Sequence, residues 1–404
     1  MNKKRQSVII LTVLLILCLF VFTACNKQEM VNLKDYVADG AGNLNVIGKL
    51  VKAMHGWIGS YGWTVVAFTV ALKVIMIPFD LWQRSSTKKN SVKMAKIQPL
   101  IDNIDKKYGA NTQKANEEKQ KLYKKQSVST LASCLPMLVT MAIFIFMFSG
   151  LNNYATYNNV MNYSKLQTYY YSEMAKAEGD TAVEIQYNKA VAAGEFVGSL
   201  KDYCVKVASQ GMVVENSVNN YNGIAVYYDT EVKEEFLWMQ SIWQPDTWGS
   251  IMPSYDKFSK TVDIGGSNPD REYNLIRNEV LKTGTRGENG TWNGLMILPL
   301  LSVGLSFASM YLTQAMEKKG KNGQEIAQNQ QQAQSNKMMM FMMPAMMAAF
   351  GFMYTGAFAV YMVCNYTLSI LFSVAMKKPI DKMVEKQLLK EELKEGSTKV
   401  SYKR

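Results

Sequence analysis

Five stretches of the chain are apolar over lengths that suit a bilayer, and polar segments of contrasting charge separate them. The first, YGWTVVAFTVALKVIMIPF from Tyr61 to Phe79, predicts a span over 58–83. About 20 apolar residues at ~1.5 Å rise cross the hydrocarbon core. The second, Leu135 to Leu151, opens on Pro136, where a missing N–H does little harm, and predicts a span over 134–151. Gly294 to Gln314 predicts a third over 291–314, and Met338 to Tyr354 a fourth over 338–354 with eight methionines. Ala357 to Met376 predicts a fifth over 357–376, after a tight turn at Thr355-Gly356.

Ahead of the first span, Val46, Ile47, Leu50, Val51, Met54, Trp57 and Ile58 recur at helical spacing, with Lys49, Lys52 and His55 between them. That pattern predicts an amphipathic helix in the interface, Trp57 and Trp63 at headgroup level; an ordinary surface helix is the alternative. After the first span, Met94, Ile97, Ile101, Ile104 and Tyr108 fall at spacings 3-4-3-4, a coiled-coil-like seam. Gly109-Ala110-Asn111 turns the chain and a second helical stretch returns over about 112–126, so 84–133 reads as a helical hairpin. Residues 152–290 are polar: 187–210 is mostly helical, and 211–230 holds β-prone runs such as GIAVYYDT. Phe236-Leu237-Trp238, Trp243, Pro245 and Trp248 predict an aromatic cluster on the membrane surface. Residues 315–337 are Gln/Asn-rich and read as a flexible loop, and 377–404 as a basic amphipathic tail.

Charge orients these elements. The hairpin holds 12 Lys/Arg against 4 Asp/Glu and the tail 9 against 5, whereas 152–290 holds 12 against 18. The positive-inside rule puts hairpin, Gln-rich loop and tail in the cytoplasm and the acidic insert outside. At the N-terminus, Lys3, Lys4 and Arg5 precede an apolar run from Val8 to Val21 and then Phe22-Thr23-Ala24-Cys25. This resembles a lipoprotein signal peptide over 1–24, cleaved before Cys25, whose thiol is lipidated; Phe22 departs from the usual aliphatic residue, and an uncleaved anchor helix is the alternative. Acyl chains would hold the tether, within 25–57, to the outer leaflet. Five spans from an outer N-terminus end inside, as the charge requires. The expected fold class is an all-α polytopic membrane protein: five transmembrane helices, a cytoplasmic helical hairpin and an outer-face inserted α(+β) region. The expected location is the bacterial cell membrane, with a lipid-anchored N-terminus outside and the C-terminus in the cytoplasm.

Composition then narrows the chemistry. With 48% hydrophobic residues, 27 Met and only 19% charged, the chain fits a membrane protein. His55 is the single histidine, and Cys18, Cys25, Cys134, Cys204 and Cys364 form no CxxC pair, so no metal site is expected. No P-loop, GxSxG, HExxH or dinucleotide fingerprint occurs, so neither a cofactor nor an enzymatic activity is expected. What remains is Lys73, a cation within the first span. Such a residue costs roughly 2.5–3.5 kcal/mol on insertion scales, so it either snorkels or lines a polar cavity. Asp80, two turns on, reads as too far for direct contact, with water able to link the two. Thr69, Thr140, Ser302, Ser306, Ser309 and Asn365, with Thr64, Thr367 and Ser369, add weakly polar groups to apolar spans. Together with Lys73 they suggest a hydrated concavity, although a lone Ser or Thr in such a helix also bonds its own backbone.

At these residues the chain resembles the YidC/Oxa/Alb membrane insertases in their Gram-positive lipoprotein form, over about 45–150 and 236–376. The resemblance rests on several short motifs in order. They are Lys73 followed by Ile77-Pro78-Phe79, Gln98-Pro99 in the hairpin, Lys121-Leu122-Tyr123, and Ser133-Cys134-Leu135-Pro136. Phe236-Leu237-Trp238, the run Met338 to Pro344, and Gly356 with Val360-Tyr361 complete the set. The family implies a five-helix core around a hydrophilic groove, open to cytoplasm and lipid and closed outside, whose basic residue attracts acidic groups in a substrate's outer tail. Lys73 takes that place where the family generally has arginine. Lysine keeps the charge but lacks the planar fork that pairs a carboxylate twice, and loses its proton more readily when desolvated. The implied partners are nascent membrane proteins, the Sec translocon, membrane lipids, and the ribosome through 84–133 and 377–404. The insert at about 152–235 is longer than the pattern leads one to expect. Two other readings stand beside this one: a small-solute transporter or channel, and a surface lipoprotein scaffold acting through the outer insert.

Overall fold

The computed structural model describes residues 30–108, 112–126, 131–286, 292–318, 345 and 349–401. The expected signal peptide, Cys25, the Gln-rich loop beyond residue 318 and most of the fourth span lie outside the described residues, as does the side chain of Thr140. The chain begins with β1 (Val31–Asn32) and α1 (Leu33–Asp39), followed by α2 (Val46–Ile58), α3 (Tyr61–Tyr108), α4 (Thr112–Lys125) and α5 (Leu131–Glu178). The insert adds α6 (Thr181–Ala192), α7 (Leu200–Gln210), α8 (Gly223–Tyr227), α9 (Tyr255–Phe258), β2 (Val262–Asp263) and α10 (Pro269–Leu281). Two more helices follow, α11 (Ile297–Lys318) and α12 (Gly356–Ser401). Among the described residues, α3 and α12 are long and apolar enough to cross a membrane, and Ile297–Thr313 is a shorter apolar helix.

The seam read from the sequence forms a hairpin. Met94, Ile97 and Ile101 of α3 bury their side chains against Leu122 and Tyr123 of α4. The helix α3 carries the first apolar stretch and the first arm of this hairpin without a break, about 72 Å at 1.5 Å per residue. The opposite end of the molecule is built on the C-terminal half of α5, against which α2, α7, α8 and α10 pack. The α2 helix lays Ile47 and Val51 into this core and leaves Val46, Leu50 and Trp57 exposed.

The structure redraws several expectations in this region. GIAVYYDT is helical: GIAVY forms α8 and a turn of π-helix follows over Tyr228–Val232. In a strand Ile224, Val226 and Tyr228 would share a face. Here Ile224 and Tyr228, four apart, are buried while Val226 is 50% exposed, so core packing overrides β propensity. The β content is two residues in each strand, β1 pairing in parallel with β2 through Val31–Val262 and Asn32–Asp263. That pairing, with Leu33, Tyr36 and Leu44 buried, docks 31–44 onto the insert, where the sequence suggested only a tether.

The aromatic cluster at 236–248 is also placed differently. Phe236 and Trp243 are buried, Trp243 stacking on Tyr61 at 4.4 Å between ring centroids, while Trp248 is exposed and stacks on Trp292. This loop caps three helices at once. Glu234 accepts from the Tyr61 N–H at 2.5 Å, at the start of α3. Buried Asp246 accepts from the Leu295 and Leu298 N–H groups, both at 2.8 Å, at the start of α11. The Gln244 and Ile242 carbonyls accept from the Gly356 and Ala357 N–H groups at 2.8 and 3.3 Å, at the start of α12. A helix start leaves four N–H groups without intrahelical partners, and this loop answers one or two of them at each of the three. The approach is tight: a Cβ on Gly62 would collide with the Phe236 ring and one on Gly356 with Met239.

Asn293 latches the loop in place. Its side chain donates to the carbonyls of Ser241, Gln244 and Pro245 at 2.9, 3.2 and 2.8 Å, and accepts from the Ser241 N–H at 2.7 Å. Each buried group left unsatisfied costs about 1–3 kcal/mol. Asn293→Ala should therefore lower the thermal midpoint of the detergent-solubilised protein and expose 236–249 to protease; an unchanged midpoint and cleavage pattern would argue against the latch.

Candidate functional site

Lys73 lies about 18 Å along α3 from its capped start, at 1.5 Å per residue. Its ammonium donates to Asp80 at 2.7 Å and to Ser369 of α12 at 3.1 Å, and sits 5.7 Å from the centre of the Phe372 ring. Direct contact with Asp80 corrects the expectation of a water-mediated link. Seven residues are two turns, about 10.5 Å of rise, beyond either stem alone. Here the lysine stem runs down the helix, and the two side chains together close the gap. Lys73 and Asp80 keep 17% and 14% of their side-chain exposure. A half-buried cation in an apolar helix is tolerable because it is paired and hydrogen-bonded.

The pair heads a row of contacts between α3 and α12. Arg84 donates to Ser373 at 2.7 Å and faces the Phe372 ring at 5.4 Å. Lys88 pairs with Asp381, and Lys89 and Lys93 hold Glu391 at 2.5 and 2.9 Å. Positions 73, 80, 84 and 88 share one face of α3 at helical spacing. Where α3, α11 and α12 meet below Lys73, a small open cavity of about 40 Å³ is lined by Arg84, Lys88, Thr313, Ser373, Lys377 and Asp381.

The other candidate residues distribute as follows. Ser302 and Ser306 of α11 are buried and donate to their own helix, to the Pro299 and Val303 carbonyls at 2.7 and 2.9 Å. Thr69 is buried and donates to the Val65 carbonyl at 2.6 Å. Ser309 is half-buried, and its carbonyl accepts from Thr313 at 2.9 Å. Asn365 is half-buried one turn before Ser369 on α12. Of the set, Ser369 alone is brought to Lys73 directly. Sequence reasoning missed Arg84, Phe372 and Ser373; their signal was the 73-80-84-88 face of α3 and the 369-373 step of α12. Among the described residues no group of three His, Cys, Asp or Glu is placed to hold a metal ion.

Further down the row, burial alone would raise the Glu391 carboxyl, but hydrogen bonds and charge from Lys89 and Lys93 outweigh it and hold it below its ordinary 4.5. A carboxyl depressed in the folded state adds stability in full above its unfolded value. That contribution is lost as pH falls through the folded value. Spin labels on the hairpin and the tail should therefore stay close at pH 7 and separate only below about 4.5. In Glu391→Gln the separation should lose this pH dependence. A second test addresses the upper pair. Lys73→Ala strands the Asp80 charge and should cost about 3–5 kcal/mol, whereas Lys73→Ala with Asp80→Ala should recover most of it. Thermal unfolding of the four proteins of this double-mutant cycle in detergent reads the difference.

The chain matches the family described as 60Kd inner membrane protein over residues 53–192 and 212–384, well over half its length. It is 35% identical over 112 residues to a protein named Membrane protein insertase YidC from Caldanaerobacter subterraneus subsp. tengcongensis, a match covering 28% of this chain and 52% of that relative. Proteins of the same name from Cupriavidus necator and Bordetella pertussis are 33% and 32% identical over 116 and 108 residues. Those matches cover 28% and 26% of this chain, and 19% and 18% of the relatives. The chain thus spans about half the length, or less, of the curated relatives it matches.

Proposed function

The chain belongs to the 60Kd inner membrane protein family, that of the YidC/Oxa/Alb proteins, and from this premise we propose that it is a membrane protein insertase and chaperone. The observation that carries the reading is the ammonium of Lys73, held within an apolar helix by Asp80 and Ser369, with the basic cavity lined by Arg84 and Ser373 beginning one turn further along both helices. An acidic group in the outer tail of a nascent membrane protein replaces Asp80 as the partner of Lys73. The polar tail then crosses part of the membrane as a paired rather than a bare charge. Partition of the substrate's apolar helix into lipid drives release, so the cycle needs no nucleotide and no catalytic residue. The Met-rich fourth span adapts to many substrate surfaces.

The same reading gives the chain five spans, with the acidic insert outside and hairpin and tail in the cytoplasm. The shared capping loop supports this arrangement: α3, α11 and α12 all begin at the face that carries the insert. Cleavage before Cys25 and lipidation there anchor the mature N-terminus outside. The lysines of the hairpin and tail make the ribosome and anionic lipid suitable partners, and the Sec translocon is a further partner.

The test replaces the chain in depleted cells with variants and scores insertion of a single-span substrate with an acidic outer tail. Lys73→Ala should lower insertion about ten- to a hundredfold, the loss of one charge-assisted hydrogen bond of about 1.5–3 kcal/mol. Lys73→Arg should retain it. Asp80→Asn, which removes the internal competitor, should raise capture of acidic tails and leave neutral tails unaffected. If Lys73→Ala inserts the acidic-tailed substrate as well as the parent protein, the charge has no part in capture. If depletion leaves insertion unchanged, the insertase reading fails.

A further inference from the structure

Pro78 lies inside α3, between Lys73 and its partner Asp80. A proline within a helix has no N–H to offer the carbonyl four residues back, and its ring collides with that carbonyl. Here the carbonyl is that of Val74, whose side chain is exposed. The backbone of α3 is therefore weakest between the residues that the ion pair joins. At about 100° per residue, Pro78 stands about 140° around the axis from Lys73 and about 160° from Asp80. Relief of the clash opens the helix on the Pro78 side and closes the opposite side, which carries the pair. The side chains thus hold together the face on which the helix bends.

The other long helix repeats the pattern, with Pro379 inside α12. Lys88–Asp381 and the pairs of Lys89 and Lys93 with Glu391 lie beyond Pro78 on α3 and beyond Pro379 on α12. Below the two prolines, hairpin and tail are thus tied to each other, and each helix joins them to the rest of the molecule through a proline. We propose that the Lys73–Asp80 pair is a strap across a hinge. While it is closed, hairpin and tail are held in place. When Lys73 leaves Asp80 for an acidic group of a protein being inserted, α3 yields at Pro78, α12 follows at Pro379, and hairpin and tail swing as one body. The Arg84–Ser373 contact joins the two bodies and parts as they turn. A rotation of about 10° at Pro78 carries Asn103, 25 residues on, by about 6–7 Å. In the identity of the releasing group the proposal rests on the insertase reading; the strap itself does not.

The experiment measures spin-label distances in the full chain in lipid nanodiscs. One pair joins exposed Tyr311 of α11 to exposed Asn103 of the hairpin, and a second joins Asn103 to exposed Lys386 of the tail. The parent protein should give a narrow 311–103 distribution. Asp80→Ala should broaden it and move its mean by several ångströms, with the 103–386 distance unchanged. Pro78→Ala restores the backbone hydrogen bond, so Pro78→Ala with Asp80→Ala should be narrow again, which also separates hinge release from misfolding. A stalled single-span nascent chain with an acidic outer tail should open the parent protein as Asp80→Ala does, and one with a neutral tail should not. A distribution indifferent to Asp80→Ala, or one that stays broad after Pro78→Ala is added, overturns the strap and leaves the insertase reading standing. A parent protein that inserts the acidic-tailed chain yet stays closed on it overturns release by substrate. One that fails to insert it overturns the insertase reading and not the strap.

Discussion

Three helices begin at one face of this molecule, and each brings N–H groups that its own backbone cannot satisfy. Tyr61, Leu298 and Ala357 at these starts are buried, so the acceptors must come from protein. Residues 234–246 supply them: the Glu234 carboxylate for α3, the Asp246 carboxylate for α11, and the Ile242 and Gln244 carbonyls for α12. Much else follows from that loop. It makes the three helices parallel, which obliges the chain to return twice, once through α5. It closes the space between their starts with Phe236 and Trp243. Its two carboxylates also lie at the positive ends of helix dipoles, where a negative charge is stabilising.

At the other end the constraint is charge. A lysine in an apolar helix needs a partner, and α3 offers Asp80 while α12 offers Ser369. The same two helices then stay together by alternating a hydroxyl or carboxylate on α12 with a cation on α3, through Ser373, Asp381 and Glu391. Most of these pairs are partly exposed, and each is worth little alone. Together they line the two helices up along their length. The hairpin and the tail are thereby tied to the helix that carries Lys73.

The sequence made some of this legible. A heptad-like seam predicts its own partner surface, so Met94, Ile97 and Ile101 could be placed before any coordinates. The apolar stretches of α3 and α12 announced themselves by length. Other features depended on contacts hundreds of residues apart. Nothing local in GIAVYYDT says that Ile224 and Tyr228 share a buried face. An aromatic-rich loop near a membrane reads as interfacial, and only the packing of Tyr61, Gly62 and Gly356 turns it into a cap. Helix rise alone puts Asp80 beyond Lys73, because it ignores the reach of a lysine stem along the axis. The hydroxyls of Thr69, Ser302 and Ser306 carry two readings in the sequence, polar lining and a bond to their own backbone, and each does bond a carbonyl of its own helix. Sequence alone could not tell those two uses apart.

The loop that caps three helices is also a barrier, with Trp243 stacked on Tyr61 and Phe236 pressed against Gly62. A continuous polar path through the loop would strip acceptors from three helix starts, so the fold resists opening there.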